Sequence, residues 1–117
     1  MTLAQAIEVL DTALPNICSM EEKCRWLTEL DGMVWVLILG NAGAFPGYTP
    51  DSDPDTELLA QPPFDDIYRY RLEAQVHYGN GEAVRCNNAI AMFRAAWERL
   101  AAHHLRTNPP PKTSFKF

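Results

Sequence analysis

What this sequence is short of narrows it first. It holds three cysteines, Cys18, Cys24 and Cys86, an odd number that shares no metal-ligand spacing. No secretory leader is read at its start, so three thiols predict a reducing compartment. No apolar run approaches the ~20 residues of a bilayer span. The strongest is Met33-Val34-Trp35-Val36-Leu37-Ile38-Leu39, so membrane insertion is not expected. Basic residues are sparse too: 10 Lys and Arg stand against 15 Asp and Glu, a formal charge of −5. Without a dense cationic cluster the chain is a poor candidate for gripping phosphate backbones, which draw most of their affinity from neutralisation.

Recognisable chemistry is equally thin. Asp51, Asp53, Asp55 and Glu57 alternate like calcium ligands. An EF-hand would need glycine at its sixth position and a bidentate glutamate at its twelfth, and Thr56 and Pro62 stand there. His103 and His104 are neighbours, so on a helix they project about a hundred degrees apart and cannot share an ion. His77 has no partner at metal-binding spacing. Cys18 precedes a helix start, where a thiol can be activated, but no basic partner lies nearby in the sequence and a structural thiol is the expectation. Gly40-Asn41-Ala42-Gly43 lacks the lysine and spacing of a phosphate loop. Arg69 and Arg71 alternate with Tyr68 and Tyr70, and are expected to cover the outer side of a helix rather than to bind bases. The expectation is a protein that is not an enzyme, with no catalytic, cofactor or metal residues.

What is present is helical patterning. A chain of 117 residues has room for one domain. Thr2-Leu3-Ala4-Gln5 has the form of a capping box, opening a helix with Leu3, Ile7, Leu10 and Leu14 on one face. Pro15 ends it. Ser19-Met20-Glu21-Glu22 is a second capping box. Behind it run two adjoining stripes, Cys24, Leu27, Val34, Ile38 and Trp26, Leu30, Met33, Leu37. So wide an apolar sector predicts burial on more than one side. Residues 33–39 are β-branched enough to read as helix or strand, and Gly40-Asn41 stops them.

From residue 40 to 63, Pro46, Gly47, Pro50, Pro54, Pro62 and Pro63 forbid a long regular element. Loops of this length are uncommon unless they are functional or disordered. Phe45, Tyr48, Leu58 and Leu59 give this one apolar anchors, predicting an ordered excursion that packs on its own domain or on a neighbour. Every charged residue from Asp51 to Asp66 is acidic.

A third helix is predicted after Pro62-Pro63-Phe64, with Asp65 or Asp66 at its start and an inner face of Ile67, Tyr68, Leu72, Gln75, Val76 and Gly79. Asn80-Gly81 breaks it. The fourth has the clearest stripe: Cys86, Ile90, Phe93, Trp97, Leu100 and His104 step by four, three, four, three and four. Pro109-Pro110-Pro111 ends the pattern and predicts a stiff polyproline segment. Beyond it, Lys112 to Phe117 alternates with period two, either as a frayed end or as a strand able to join another sheet edge.

The reading is an all-α fold. About four helices form a small bundle over residues 1–108, with an irregular loop at 40–63 and an extended tail at 109–117.

The order of landmarks resembles a family of small tailed-phage and prophage proteins, the head–tail connector or adaptor proteins. The likeness begins in Glu21-Glu22-Lys23-Cys24-Arg25-Trp26-Leu27-Thr28-Glu29-Leu30-Asp31-Gly32 and continues in Asp55-Thr56-Glu57-Leu58-Leu59 and Pro63-Phe64-Asp65-Asp66-Ile67-Tyr68. Tyr78-Gly79-Asn80-Gly81-Glu82, Cys86-Asn87-Asn88, Ala91-Met92-Phe93 and Arg106-Thr107-Asn108-Pro109 complete it. Where this chain has Val34 to Phe45, such proteins carry a shorter, more polar segment.

The resemblance implies a virion structural protein, made in the bacterial host cytoplasm and placed at the head–tail junction, or neck. It implies a homo-oligomeric ring of about twelve copies beneath the portal protein, extending the DNA channel and docking the next connector or tail protein. DNA would pass through without specific binding, past an acidic wall that repels it. The expected subunit or partner contacts are Phe45, Tyr48, Leu58 and Leu59 in the loop and Lys112, Phe115, Lys116 and Phe117 in the tail. The alternative is a small acidic regulatory or inhibitor protein that binds a host or phage protein through its acidic loop.

Overall fold

The computed structural model describes residues 1–108, and these form a small all-α bundle. Helix α1 spans Leu3–Ala13, α2 Met20–Met33, α3 Asp66–Gly79 and α4 Ala83–Thr107, and a π-helical turn, Val34–Ile38, extends α2. Among the described residues there is no strand, only an isolated antiparallel bridge between Thr2 and Glu57. Residues 33–39 are thus helical throughout their ordered turn, not extended.

Local chemistry accounts for most of the boundaries. At Thr2 both halves of the capping box form: the Gln5 amide donates to Thr2 Oγ1 at 3.1 Å and the Thr2 amide to Gln5 Oε1 at 2.9 Å. Ser19 caps α2 by accepting from the Glu22 amide at 3.1 Å, with Glu21 and Glu22 in the positively polarised first turn. Asp65 occupies the N-cap position of α3 but makes no side-chain cap bond. Its carboxylate instead lies 3.3 Å from the amino group of Met1.

The helices α3 and α4 form an antiparallel hairpin, turned at Asn80-Gly81 with Gly81 at φ +71°. The α4 stripe runs as its spacing predicts. Cys86, Phe93 and Leu100 are buried, Ile90, Trp97 and His104 are half-buried, and Ala89 and Ala96 lie buried between them. Two small side chains along the stripe let α4 lie close to α3. On α3 the inward residues are Ile67, Tyr68, Leu72, Ala74 and Val76, whereas Gln75 is half-exposed and Gly79 open to solvent. Arg71 stacks its guanidinium over the Phe93 ring at 5.4 Å, while Arg69 pairs with Glu73 at 3.0 Å on the outside. Helix α1 packs on α3, which also carries α2 and α4.

One stripe is broken by the π turn. The wider turn holds one extra residue, which rotates the side chains beyond it by about a hundred degrees. Val34 therefore stays inside at 1% exposure while Leu37, expected to be buried, is turned out to 69%.

Candidate interaction surface

The long excursion between α2 and α3 is fastened from within. Thr28, on α2, accepts from the Tyr48 amide at 2.8 Å while its hydroxyl donates to the Cys24 carbonyl at 2.8 Å. Gly47 lies at φ +79°, and a Cβ there would meet Thr28 Cγ2 at 2.6 Å, so the close approach admits only glycine. Phe45 sits between Trp35 and Tyr48, with ring centroids 5.6 Å from each. Further along, the loop closes over the start of α1: the Leu3 amide donates to the Thr56 carbonyl and the Ala4 amide to that of Pro54. These are first-turn donors that a helix cannot satisfy by itself.

The centre of the fastening is Asp31, a fully buried acid. Its carboxylate accepts from the hydroxyls of Tyr48 and Tyr68 and from the Leu59 amide, with Tyr68 at 2.6 Å and Leu59 at 3.2 Å. The Tyr68 oxygen in turn accepts from the Ala60 amide at 2.7 Å. Burial raises the Asp31 carboxyl above its usual range against the opposing pull of these donors. Burial and the adjacent carboxylate push both tyrosine hydroxyls far upward. Both carboxylate oxygens are engaged and none faces solvent, so the group holds structure together and is closed to any substrate.

This arrangement corrects part of the expected contact set. Tyr48 and Leu58, at 9% and 1% exposure, belong to the core of their own domain and are not free for a partner. Phe45 and Leu59 are half-buried against that core. The physical reason is the Asp31 knot, which draws the excursion inward at the points where it carries its large apolar side chains. Lys112, Phe115, Lys116 and Phe117 lie outside the described residues. Asp31 itself was missed among the candidates. The signal was there: an acid placed four residues after Leu27 and three before Val34, on a stripe otherwise apolar.

Among the described residues, two of the open apolar surfaces stand out. One is a groove of about 510 Å³ between α1, the start of α2 and the loop, floored by Leu3, Ile7, Met20, Cys24, Pro50 and Pro54. Its size falls in the ligand-pocket range of ~300–1,000 Å³. Glu8 and Asp11 edge it. Asp11 is paired with the buried Lys23 at 2.8 Å; burial opposes its charge, but the hydrogen bonds from Lys23 and Asn16 hold its carboxyl below the usual range.

The other surface is a ridge on the π turn, where Val36, Leu37 and Leu39 are 53%, 69% and 39% exposed. Leu37 and Met33 also face Phe93 and Trp97 of α4 across a shallow notch of about 250 Å³. Inside the turn, the Trp35 indole N–H is shut off from solvent with no acceptor. An unmet buried donor costs roughly 1–3 kcal/mol. π turns are frequent where function, not stability, sets the backbone.

Among the described residues no three His, Cys, Asp or Glu side chains gather as an ion's ligands, and no helix is long and apolar enough to cross a membrane. Cys18, Cys24 and Cys86 are all free thiols. Burial raises the Cys24 thiol above its ordinary range, away from reactivity. Neither the protein-family models, nor the curated proteins, nor the solved structures contain a match to this chain.

Proposed function

We propose that this chain is a structural head–tail connector of a tailed phage, assembling as a ring under the portal and receiving the next connector or tail protein. The observation that carries this reading is the pair of open apolar surfaces. The groove on α1 and the ridge on the π turn share no residue. A closed ring is built from a head-to-tail contact, which needs two different and complementary faces on each copy. Exposed apolar area of this kind marks contact surfaces in soluble proteins. The acidic balance suits a conduit wall that DNA slides past.

The test is mass and incorporation. The purified chain, alone and with a portal protein of the same genome, should form a many-copy ring by light scattering and electron microscopy. Leu37→Asp should leave the melting temperature nearly unchanged, within about 0.5 kcal/mol of stability, and abolish ring formation. A chain that stays monomeric with the portal present, or a gene set among metabolic genes, would overturn the proposal.

A second reading has one observation in its favour. Asp51, Asp53, Asp55 and Glu57 are all exposed, and Asp51, Asp53 and Asp55 take part in no ion pair among the described residues. A small acidic regulator would present them to a basic partner. One-to-one complexes of a monomer would favour that reading over the connector.

A further inference from the structure

We infer that the α1 groove is the receptor for residues 109–117 of a second copy of this chain. The inference rests on the connector reading and names the contact that would join one subunit to the next.

The occupant is argued from charge. After Glu98 the sequence carries no acid, and its last stretch pairs Lys112 and Lys116 with Phe115 and Phe117. The groove offers the complement. Its floor is apolar, and Glu8 on its edge and Asp51 beside it in the loop are exposed carboxylates with no ion pair among the described residues. The cation nearest to hand, Lys23, is already committed to Asp11 at 2.8 Å. Aromatic side chains would fill the floor and ammonium groups would meet the edge.

A nearer depression is the wrong receptor. The one beside Asn108, of about 230 Å³, is walled by Val34, Leu39 and Leu59 together with His103 and His104, and contains no acid. It would offer the lysines nothing.

The connector reading makes the donor another copy. α3 stands between α1 and α4, packing on both, while α1 and α4 make no comparable contact with each other. The chain leaves α4 at Asn108, in a depression that it shares with Leu39 and Leu59. Joining the exit of one copy to the groove of the next is a heterologous contact, the kind that closes into a ring.

The experiment has two arms on the full chain. In the first, K112E/K116E and, separately, E8K/D51K are introduced, and assembly is followed by sedimentation velocity. Each pair should disperse the assembly, and the two combined should restore it. Adding bismaleimide to a T12C/F115C variant should then give bands at multiples of the chain mass. Cross-linking confined to the single-chain band would overturn the proposal, as would lysine reversals that leave assembly intact; in the latter case the connector reading would survive.

In the second arm, a fluorescent peptide of residues 109–117 is titrated into the K112E/K116E chain, whose own tail cannot compete. Binding should weaken about tenfold with E8K/D51K added and should fall with salt. This arm decides the groove even if the chain proves to form no ring, and absent binding would overturn the inference alone.

Discussion

The α3–α4 hairpin and the excursion from Leu39 to Asp65 are held by different physics. The hairpin is a continuous seam, in which Leu72, Val76, Phe93, Ala96 and Leu100 share the burial and each contributes a part. The excursion has no repeating seam. Its course depends on two polar anchors of α2, Thr28 and Asp31, which take up loop amides and a tyrosine hydroxyl at chosen points. A seam degrades gradually when one residue is lost, whereas a knot fails at once. That contrast has function in it. The knot frees the outer surface of the loop, with its acidic residues and prolines, from any duty in the core.

The comparison can be broken most sharply at Asp31. Asp31→Ala leaves two buried hydroxyls and the Leu59 amide without their acceptor, and should cost about 4 kcal/mol. Urea unfolding would measure it. The seam counterpart, Leu72→Ala at a fully buried site, should cost about 3 kcal/mol and leave the loop's protection from proteolysis intact. Loss of loop protection in Leu72→Ala as large as in Asp31→Ala would mean that the two regions are one unit.

Gly47→Ala tests the second anchor. The added methyl meets Thr28 at a positive φ, and a loss of about 2 kcal/mol is expected. Pairing it with Thr28→Ser, which removes the methyl it strikes, should recover part of that loss.

The mildest test is alkaline titration. The folded-state pKa values of Tyr48 and Tyr68 are raised, so the native chain keeps protons that the unfolded chain gives up. Their contribution is complete below the unfolded value near pH 10 and is lost as pH rises above it, at about 1.4 kcal/mol per pH unit for each tyrosine. Absorbance of tyrosinate should show Tyr48 and Tyr68 ionising only as the chain unfolds. Ionisation of Tyr48 and Tyr68 before unfolding would show that the knot is open to solvent.

Much of the fold was legible because it is local. Thr2 with Gln5, Ser19 with Glu22, the stop at Pro15 and the α4 stripe all act within a turn or two. The errors share a cause. Leu37 was misplaced because a π turn changes the period mid-helix, and nothing in Val34-Trp35-Val36-Leu37-Ile38 announces the extra residue. Tyr48 and Leu58 were expected at a partner surface because an apolar residue in a proline-rich loop has no periodicity to show which way it faces. Of the candidate surface, the apolar ridge residues were visible in the sequence but not their exposure. The groove was not visible at all, since it joins α1 to a loop some forty residues away.

The sequence alone determined the helices, their caps and stops, and the acidic, apolar-anchored character of the excursion, because capping, proline geometry and helical spacing depend on neighbours in the chain. Only the tertiary structure decided which apolar residues are core and which are surface. That choice turns on Asp31 meeting Tyr48, Leu59 and Tyr68 across 17, 28 and 37 residues. A buried charge settles where its donors converge, and convergence is a property of the folded chain.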